Sequence, residues 1–273
     1  MRGLTKVQTQ LLDETTGEVI EDVNVMSDAE CITYTNPEKM VTAHGGIPVG
    51  TSFNNVPLQE VLDNILYPYT KPTVTLSANP AGGVREKGTS LTPIALTANI
   101  GKKSADIKAV DFYKGSEKIG SIASPKAAGG TETHSYTGPI TADCQLSCKV
   151  TDAKNGVTES GKVNYTFVYP IYIGSVPADA ATPNAVQVTA LEKRVVAKAS
   201  QQYTYTIADK RMCIACPPGM TLSKILDPNG FDSTAAFSKQ SLAITGLDGT
   251  AQTYTVYVGG VTSQSNYKMS FNI

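Results

Sequence analysis

The sequence predicts an all-β chain. An extended N-terminal arm with one short helix is followed by an Ig-like β-sandwich and a second small β domain. Three observations predict this. Strand and turn formers such as Thr, Ser, Val, Gly and Tyr dominate the composition, and Trp is absent. Many short segments alternate apolar and polar residues with period two. Only one segment, residues 57–66, carries apolar residues at helical spacing.

Residues 1–72 read as the first part. Thr15-Thr16-Gly17-Glu18 is a turn between two extended pieces, and Val19, Val23 and Val25 lie in an imperfect alternation. Cys31-Ile32-Thr33-Tyr34-Thr35 is a further short strand. The arm holds too few apolar residues to offset its own conformational entropy, so it is expected to order against a partner chain. In the helix, Leu58, Val61, Leu62, Ile65 and Leu66 recur at i, i+3, i+4, i+7 and i+8, the spacing of one stripe. Pro57 suits the first helical position because its missing N–H would be unpaired there anyway. Pro68 and Pro72 stop the helix, since proline disfavours α geometry in the residue before it.

Residues 73–170 read as the sandwich. Val74–Ser77, Ile94–Ala98, Ile107–Tyr113, Lys118–Ile122, Gln145–Val150 and Lys162–Tyr169 are its strands. Lys114-Gly115-Ser116-Glu117 is a hairpin turn, and Asn155-Gly156 marks a second. Roughly seven short strands in about 100 residues match Ig-like proportions. No Trp is available for the usual core position. Residues 171–273 form the second β domain, with Tyr203–Ile207 and Thr253–Val258 alternating and turns at Pro228-Asn229-Gly230 and Leu247-Asp248-Gly249. There is no tandem repeat and no heptad run long enough for a coiled-coil shaft.

Charge narrows the partners. The chain has 23 basic and 24 acidic residues, which leaves no electrostatic footprint for nucleic acid. No apolar run approaches bilayer-spanning length. The start, Met1–Gln8, has no apolar core of signal-peptide length, so no membrane association or export is expected.

Candidate chemistry is sparse. Cys213-Ile214-Ala215-Cys216 has CxxC spacing, but no second pair completes a zinc site, and on a strand the two thiols face opposite sides. Cys144 and Cys148 fall on one strand face and read as small buried hydrophobes. His44 lies in the arm and His134 in a loop over Gly129–Gly138, neither with a nucleophile beside it. Glu60 and Asp63 lie on the polar face of the helix. Asp227, Asp232 and Asp248 sit in turns, where Asp hydrogen-bonds its own backbone. No EF-hand loop makes them a calcium site, and no P-loop, dinucleotide fingerprint, GxSxG or HExxH is present. The expectation is no catalytic residue, no cofactor and no metal. Thirteen Tyr residues offer rigid amphipathic surface for a sugar or a protein, although Tyr is also simply a good strand former. Tyr254 and Tyr257 fall on opposite strand faces.

One stretch resembles something specific. Gly45-Gly46-Ile47, Gly50-Thr51-Ser52-Phe53 and Leu58-Gln59-Glu60-Val61-Leu62-Asp63-Asn64-Ile65-Leu66-Tyr67-Pro68-Tyr69 resemble the attachment module of a family of bacteriophage virion proteins. These are head-fibre, decoration or tail-fibre proteins, with examples in crAss-like phages. Val56-Pro57 stands where the family has a polar residue before the helix. Residues 225–232 and 244–249 resemble the C-terminal domain of the same proteins. The resemblance implies a non-enzymatic virion structural protein, assembled in the bacterial host cytoplasm and docked to other virion proteins through residues 1–72. Gly45, Gly46, Ile47, Phe53, Leu58, Val61, Leu62, Ile65, Leu66 and Tyr67 would form the docking and oligomer interface. It also implies a homo-oligomer, a trimer before a dimer, and adhesion to host glycans. The rival reading is a carbohydrate-binding protein built from Ig-like modules.

Overall fold

The structure is a computed structural model and describes residues 7–12, 15–16, 19–25, 33–34, 39–42, 47, 49–196 and 202–272. The chain divides into two compact units, Met1–Lys71 with Lys103–Ala105, and Pro72–Lys102 with Asp106–Ile273.

In the first unit, β1 (Val7–Leu12) and β2 (Val19–Val25) form an antiparallel hairpin with Val7 opposite Val25. Thr15 and Thr16 lie in the turn, as their sequence suggests. β3 (Thr33–Tyr34) pairs with β4 (Val56–Pro57), so the strand expected over 31–35 is seen at its centre, Cys31 and Ile32 lying outside the described residues. A bridge from Lys39 to Ser52 closes a loop whose turn is Val49-Gly50, with Gly50 at φ +86. That left-handed backbone is where glycine is required.

The helix α1 (Leu58–Leu66) follows β4 directly. Pro57 is its N-cap, with extended backbone, so the helix begins one residue later than the sequence predicts. It ends at Tyr67, whose N–H reaches Asp63 O at 2.8 Å.

The second unit opens with a sandwich. Its strands are β5 (Thr73–Asn79), β6 (Gly83–Glu86), β7 (Ile94–Gly101), β8 (Ile107–Lys114), β9 (Glu117–Ile122), β10 (Gly129–Tyr136), β11 (Cys144–Asp152), β12 (Val157–Glu159) and β13 (Val163–Val168). One sheet runs β10-β7-β5, and the other β6-β13-β11-β8-β9 with β12 beside β11. The first strand switches sheets, β5 pairing antiparallel with β7 and β6 parallel with β13. This is an Ig-like order, in which consecutive strands cross between the sheets. Ile94, Leu96, Ala98 and Ile100 of β7 face Val110, Phe112, Leu146, Cys148, Val150 and Tyr165 across one core. Phe112, fully buried on the strand that carries the core Trp of antibody domains, fills that place.

His134 corrects the sequence reading. It lies on strand β10 rather than in a loop. Its ring stacks on Phe112 at 5.2 Å and its Nε2 is 3.2 Å from Ile119 O. β10 is an edge strand of sequence Gly-Gly-Thr-Glu-Thr-His-Ser-Tyr, so it shows no apolar alternation.

The rest of the unit is one sheet. It contains β14 (Ile171–Val176), β15 (Glu192–Arg194), β16 (Gln202–Cys216), β17 (Thr221–Leu226), β18 (Ser238–Thr245) and β19 (Ala251–Asn272). β19 pairs with β16 along one side and with β18 and then β17 along the other. Both faces of the sheet are covered. Ile171, Ile173, Ile214, Cys216, Ile225, Phe237 and Tyr257 form one core, and Tyr172, Val188, Cys213, Ala215, Tyr254, Val256 and Val258 the other. A second short helix, α2 (Ala185–Thr189), contributes Val188 to the latter. It is held by a capping box in which Asn184 Oδ1 accepts from Gln187 N at 3.0 Å and Gln187 Oε1 from Asn184 N at 2.9 Å.

The sandwich and this sheet share a polar junction. Tyr254 donates to Pro170 O at 3.0 Å, and Lys193 pairs with Glu86 at 2.7 Å. Tyr169 donates to Asp248 Oδ2 at 2.7 Å and accepts from Gln252 Nε2 at 3.1 Å. The Lys87 ammonium lies 5.1 Å from the centre of the Tyr169 ring. Beside them is a cleft of about 290 Å³ lined by Phe167, Val196, Pro217, Pro218 and Met220.

Candidate functional site

The helix α1 sets the first candidate surface. Its amphipathic spacing should bury one stripe, yet none of its residues is buried. Leu62 is 42% exposed, Ile65 44%, Leu66 64% and the following Tyr67 77%. Leu58 and Val61 are half-buried, and Glu60 and Asp63 are exposed as expected. Among the described residues, the Leu62, Ile65 and Leu66 part of the stripe therefore lies open. Ile47 and Phe53 differ, because both are buried within the chain itself, and so they are not part of that open surface. Gly45, Gly46 and His44 lie outside the described residues.

The cysteines sit in cores. Cys213 and Cys216 belong to cores on opposite faces of the sheet, as their spacing on a strand requires. Burial pushes both thiols up to about 12. Cys144 and Cys148 face one core, and burial pushes Cys148 to about 12 as well. Among the described residues, no group of three or more His, Cys, Asp or Glu side chains could hold a metal ion. No helix among them is long and apolar enough to cross a membrane.

The turn carboxylates tie down backbone. Asp227 Oδ1 accepts from Asn229 N and Phe231 N, each at 2.9 Å. Asp232 Oδ1 accepts from Thr234 N at 2.9 Å and Thr234 Oγ1 at 2.6 Å, and these bonds hold its carboxyl below the usual carboxylate range. Asp248 is lowered too, first by the Tyr169 hydroxyl and then by the Thr250 N–H. For Asp111, burial pushes upward and the hydrogen bonds from Lys118 and Ser121 more than offset it.

These shifts carry one sign. A carboxylate whose folded value is lowered stabilises the fold above its unfolded value of about 4, and that contribution is lost as pH falls through the folded value. The urea midpoint should therefore hold between about pH 7 and 5 and fall below about pH 4. Asp248→Asn should make that acid fall shallower. An identical slope in the variant would remove Asp248 from the account.

Tyrosine forms a second polar cluster. Tyr205 hydrogen-bonds Glu192 and is pushed up to about 12, by burial first and that carboxylate second. Arg194 lies 4.9 Å from the Tyr203 ring centre and pairs with Glu192 at 2.6 Å. Tyr254 and Tyr257 are both buried, on opposite faces, so neither offers a binding surface.

One exposed aromatic was not singled out by the sequence reading. Phe231, in the turn after β17, is 71% exposed. Of the residues that follow, Asp232, Thr234, Ala235, Phe237 and Lys239 line an open groove of about 600 Å³ to which Phe231 does not contribute. The Asp-Pro-Asn-Gly run marks the turn in the sequence, but nothing there marks the ring as exposed.

No family model matches the chain, and no curated protein matches it. Among solved structures, the fibronectin(III)-like modules of Clostridium thermocellum CbhA are similar at 15% identity, with a TM-score of 0.29. The match covers 70% of this chain and 94% of that one. The all-β, Ig-like class stated above rests on the strand order of the chain itself.

Proposed function

We propose that this Ig-like protein is a non-enzymatic structural component of a bacteriophage virion, a head-fibre or capsid-decoration subunit. Its N-terminal module docks on other virion proteins as a homo-oligomer, a trimer by resemblance, and its β domains face outward and adhere to host glycans. The observation that carries this reading is the open stripe of α1, with Leu62, Ile65, Leu66 and Tyr67 all exposed. Contiguous apolar surface of this kind marks an interaction site. It coincides with the Gly-Thr-Ser-Phe and Leu-Tyr-Pro-Tyr segments that resemble the phage attachment module. The buried, high-pKa thiols and the locally satisfied turn carboxylates are in keeping with a structural role.

The test is incorporation into particles. A chain of residues 73–273 should stay folded and fail to join the virion, whereas the full chain joins. Normal incorporation of the shortened chain would remove the N-terminal module from docking.

A further inference from the structure

The cleft beside Tyr169 has an apolar lining and one polar corner. Phe167, Val196, Pro217 and Met220 supply the lining, and all four are buried. Lys87, Tyr169 and Gln252 make the corner, and their contacts bring them together. Gln252 Nε2 donates to the Tyr169 hydroxyl at 3.1 Å, and the Lys87 ammonium lies 5.1 Å from the Tyr169 ring centre.

The walls are fixed before any ligand arrives. The Tyr169 ring is held at its hydroxyl by the bond from Gln252 and by its own bond to Asp248 Oδ2 at 2.7 Å. Lys87 N donates to Val168 O at 2.9 Å, which extends the ladder between β6 and β13 and seats the lysine. The Pro217–Met220 turn is closed by Met220 N donating to Pro217 O at 3.1 Å. Pro218 fixes one of its central residues, and Gly219, at φ +79, supplies the left-handed one. A cleft that needs no ordering loses little affinity to entropy.

Charge decides the occupant. Among the described residues, Lys87 is the only charged one that lines the cleft. No carboxylate among them comes within ion-pair distance of its ammonium. Both acids of the junction are engaged elsewhere, Glu86 by Lys193 and Asp248 by Tyr169 and the Thr250 N–H, and neither lines the cleft. An ammonium has three donors and no acceptor, so it favours a group that only accepts. One cation matches one negative charge, whereas a phosphate dianion would leave charge unpaired against apolar walls. The buried lining suits an apolar body. At about 290 Å³ the cleft lies at the lower end of small-molecule sites, which excludes a bulky ligand.

We propose that this cleft binds a small monocarboxylate with an apolar body, a short fatty or arylalkanoic acid, its carboxylate at Lys87 and its body against Phe167 and Met220. The site is independent of virion docking, because all of its residues lie in the second unit.

The test uses the full chain, labelled at its methionine methyls, and NMR titration with hexanoate and 4-phenylbutyrate. Hexanamide and 4-phenylbutyramide are neutral controls of the same shape. The Met220 signal is assigned by its loss in Met220→Leu. With probe at up to about 10 mM, enough to reach sites of millimolar affinity, at least one acid should shift that signal saturably. It should bind about threefold or more tighter than its amide, the scale of one partly hydrated ion pair. Lys87→Gln breaks no ion pair, so this variant should fold like the wild type and lose the preference for the acid. Lys87→Arg should fold and keep it. No shift of Met220 with either acid, equal affinity for acid and amide, or an undiminished preference in Lys87→Gln would each overturn the proposal. Loss of particle docking in the chain of residues 73–273, with acid binding kept, would support both readings separately.

Discussion

Replacing Leu62 by Asp should break the assembly while leaving the chain folded. Leu62 is 42% exposed in the isolated chain, so the new carboxylate can remain hydrated there and cost little. In an oligomer closed over the stripe, the same carboxylate would be buried without a partner. That penalty is about 3–5 kcal/mol per subunit, on the scale of a buried ion left unpaired. Each subunit of a closed symmetric ring carries it, so the loss multiplies. Light scattering should report an oligomer for the wild type at tens of micromolar and a monomer for the variant, with matching circular dichroism. A wild-type monomer would leave a different virion protein as the only cover for the stripe. An oligomer indifferent to the change would remove α1 from assembly.

Gly88→Ala should be the most damaging small substitution in the second unit. Gly88 has φ +100, a backbone region that costs an L side chain about 1–3 kcal/mol. A Cβ there would also stand 2.4 Å from Asp248 N and 2.6 Å from the Leu247 carbonyl carbon. Those are backbone atoms and cannot rotate away, so the junction must open, at a further cost of about 1–3 kcal/mol. Opening it pulls Asp248 from Tyr169 and the Leu247 turn from its seat. Gly161→Ala is the matched control, because a Cβ there meets nothing within 4 Å. Urea denaturation should place Gly88→Ala well below the wild type and Gly161→Ala close to it. Equal midpoints for the two variants would mean that the close approach at Gly88 does not matter.

Half-buried strands were legible in the sequence, and doubly buried or edge strands were not. Ile94–Ala98 and Ile107–Tyr113 alternate because one face meets the core and the other meets water. β16 was visible only over Tyr203–Ile207. Past Asp209, at φ 48, the strand enters a sheet covered on both faces, and Met212–Cys216 becomes continuously apolar. β10 had no apolar face to display. α2 is five residues long, too short for a helical period, and its only signal was the Asn184…Gln187 spacing of a capping box.

The candidate site was legible in part. Periodicity placed the helix, but the buried stripe it implied is not seen in the chain, where none of the helix is buried. Ile47 and Phe53 were grouped with the interface through the resemblance alone, and the chain buries them itself. The turn carboxylates were read correctly because Asx bonding is local. The exposure of Phe231 depends on the whole turn and on what surrounds it, which no short window contains.

The long β19 dictates an order of events. It is the hydrogen-bonding partner of β16, β17 and β18, so three strands wait for a segment that is made after all of them. The sandwich strands 73–168 need nothing from that segment for their own pairing. During synthesis the sandwich can therefore close early and β16 can pair with β14, while β17, β18 and the other edge of β16 stand unpaired until residues 251–272 have left the ribosome. Long-range pairing of this kind is slow. The interval in which β16 and β18 expose unpaired edges is when this chain is most vulnerable to proteases and to association with neighbouring copies.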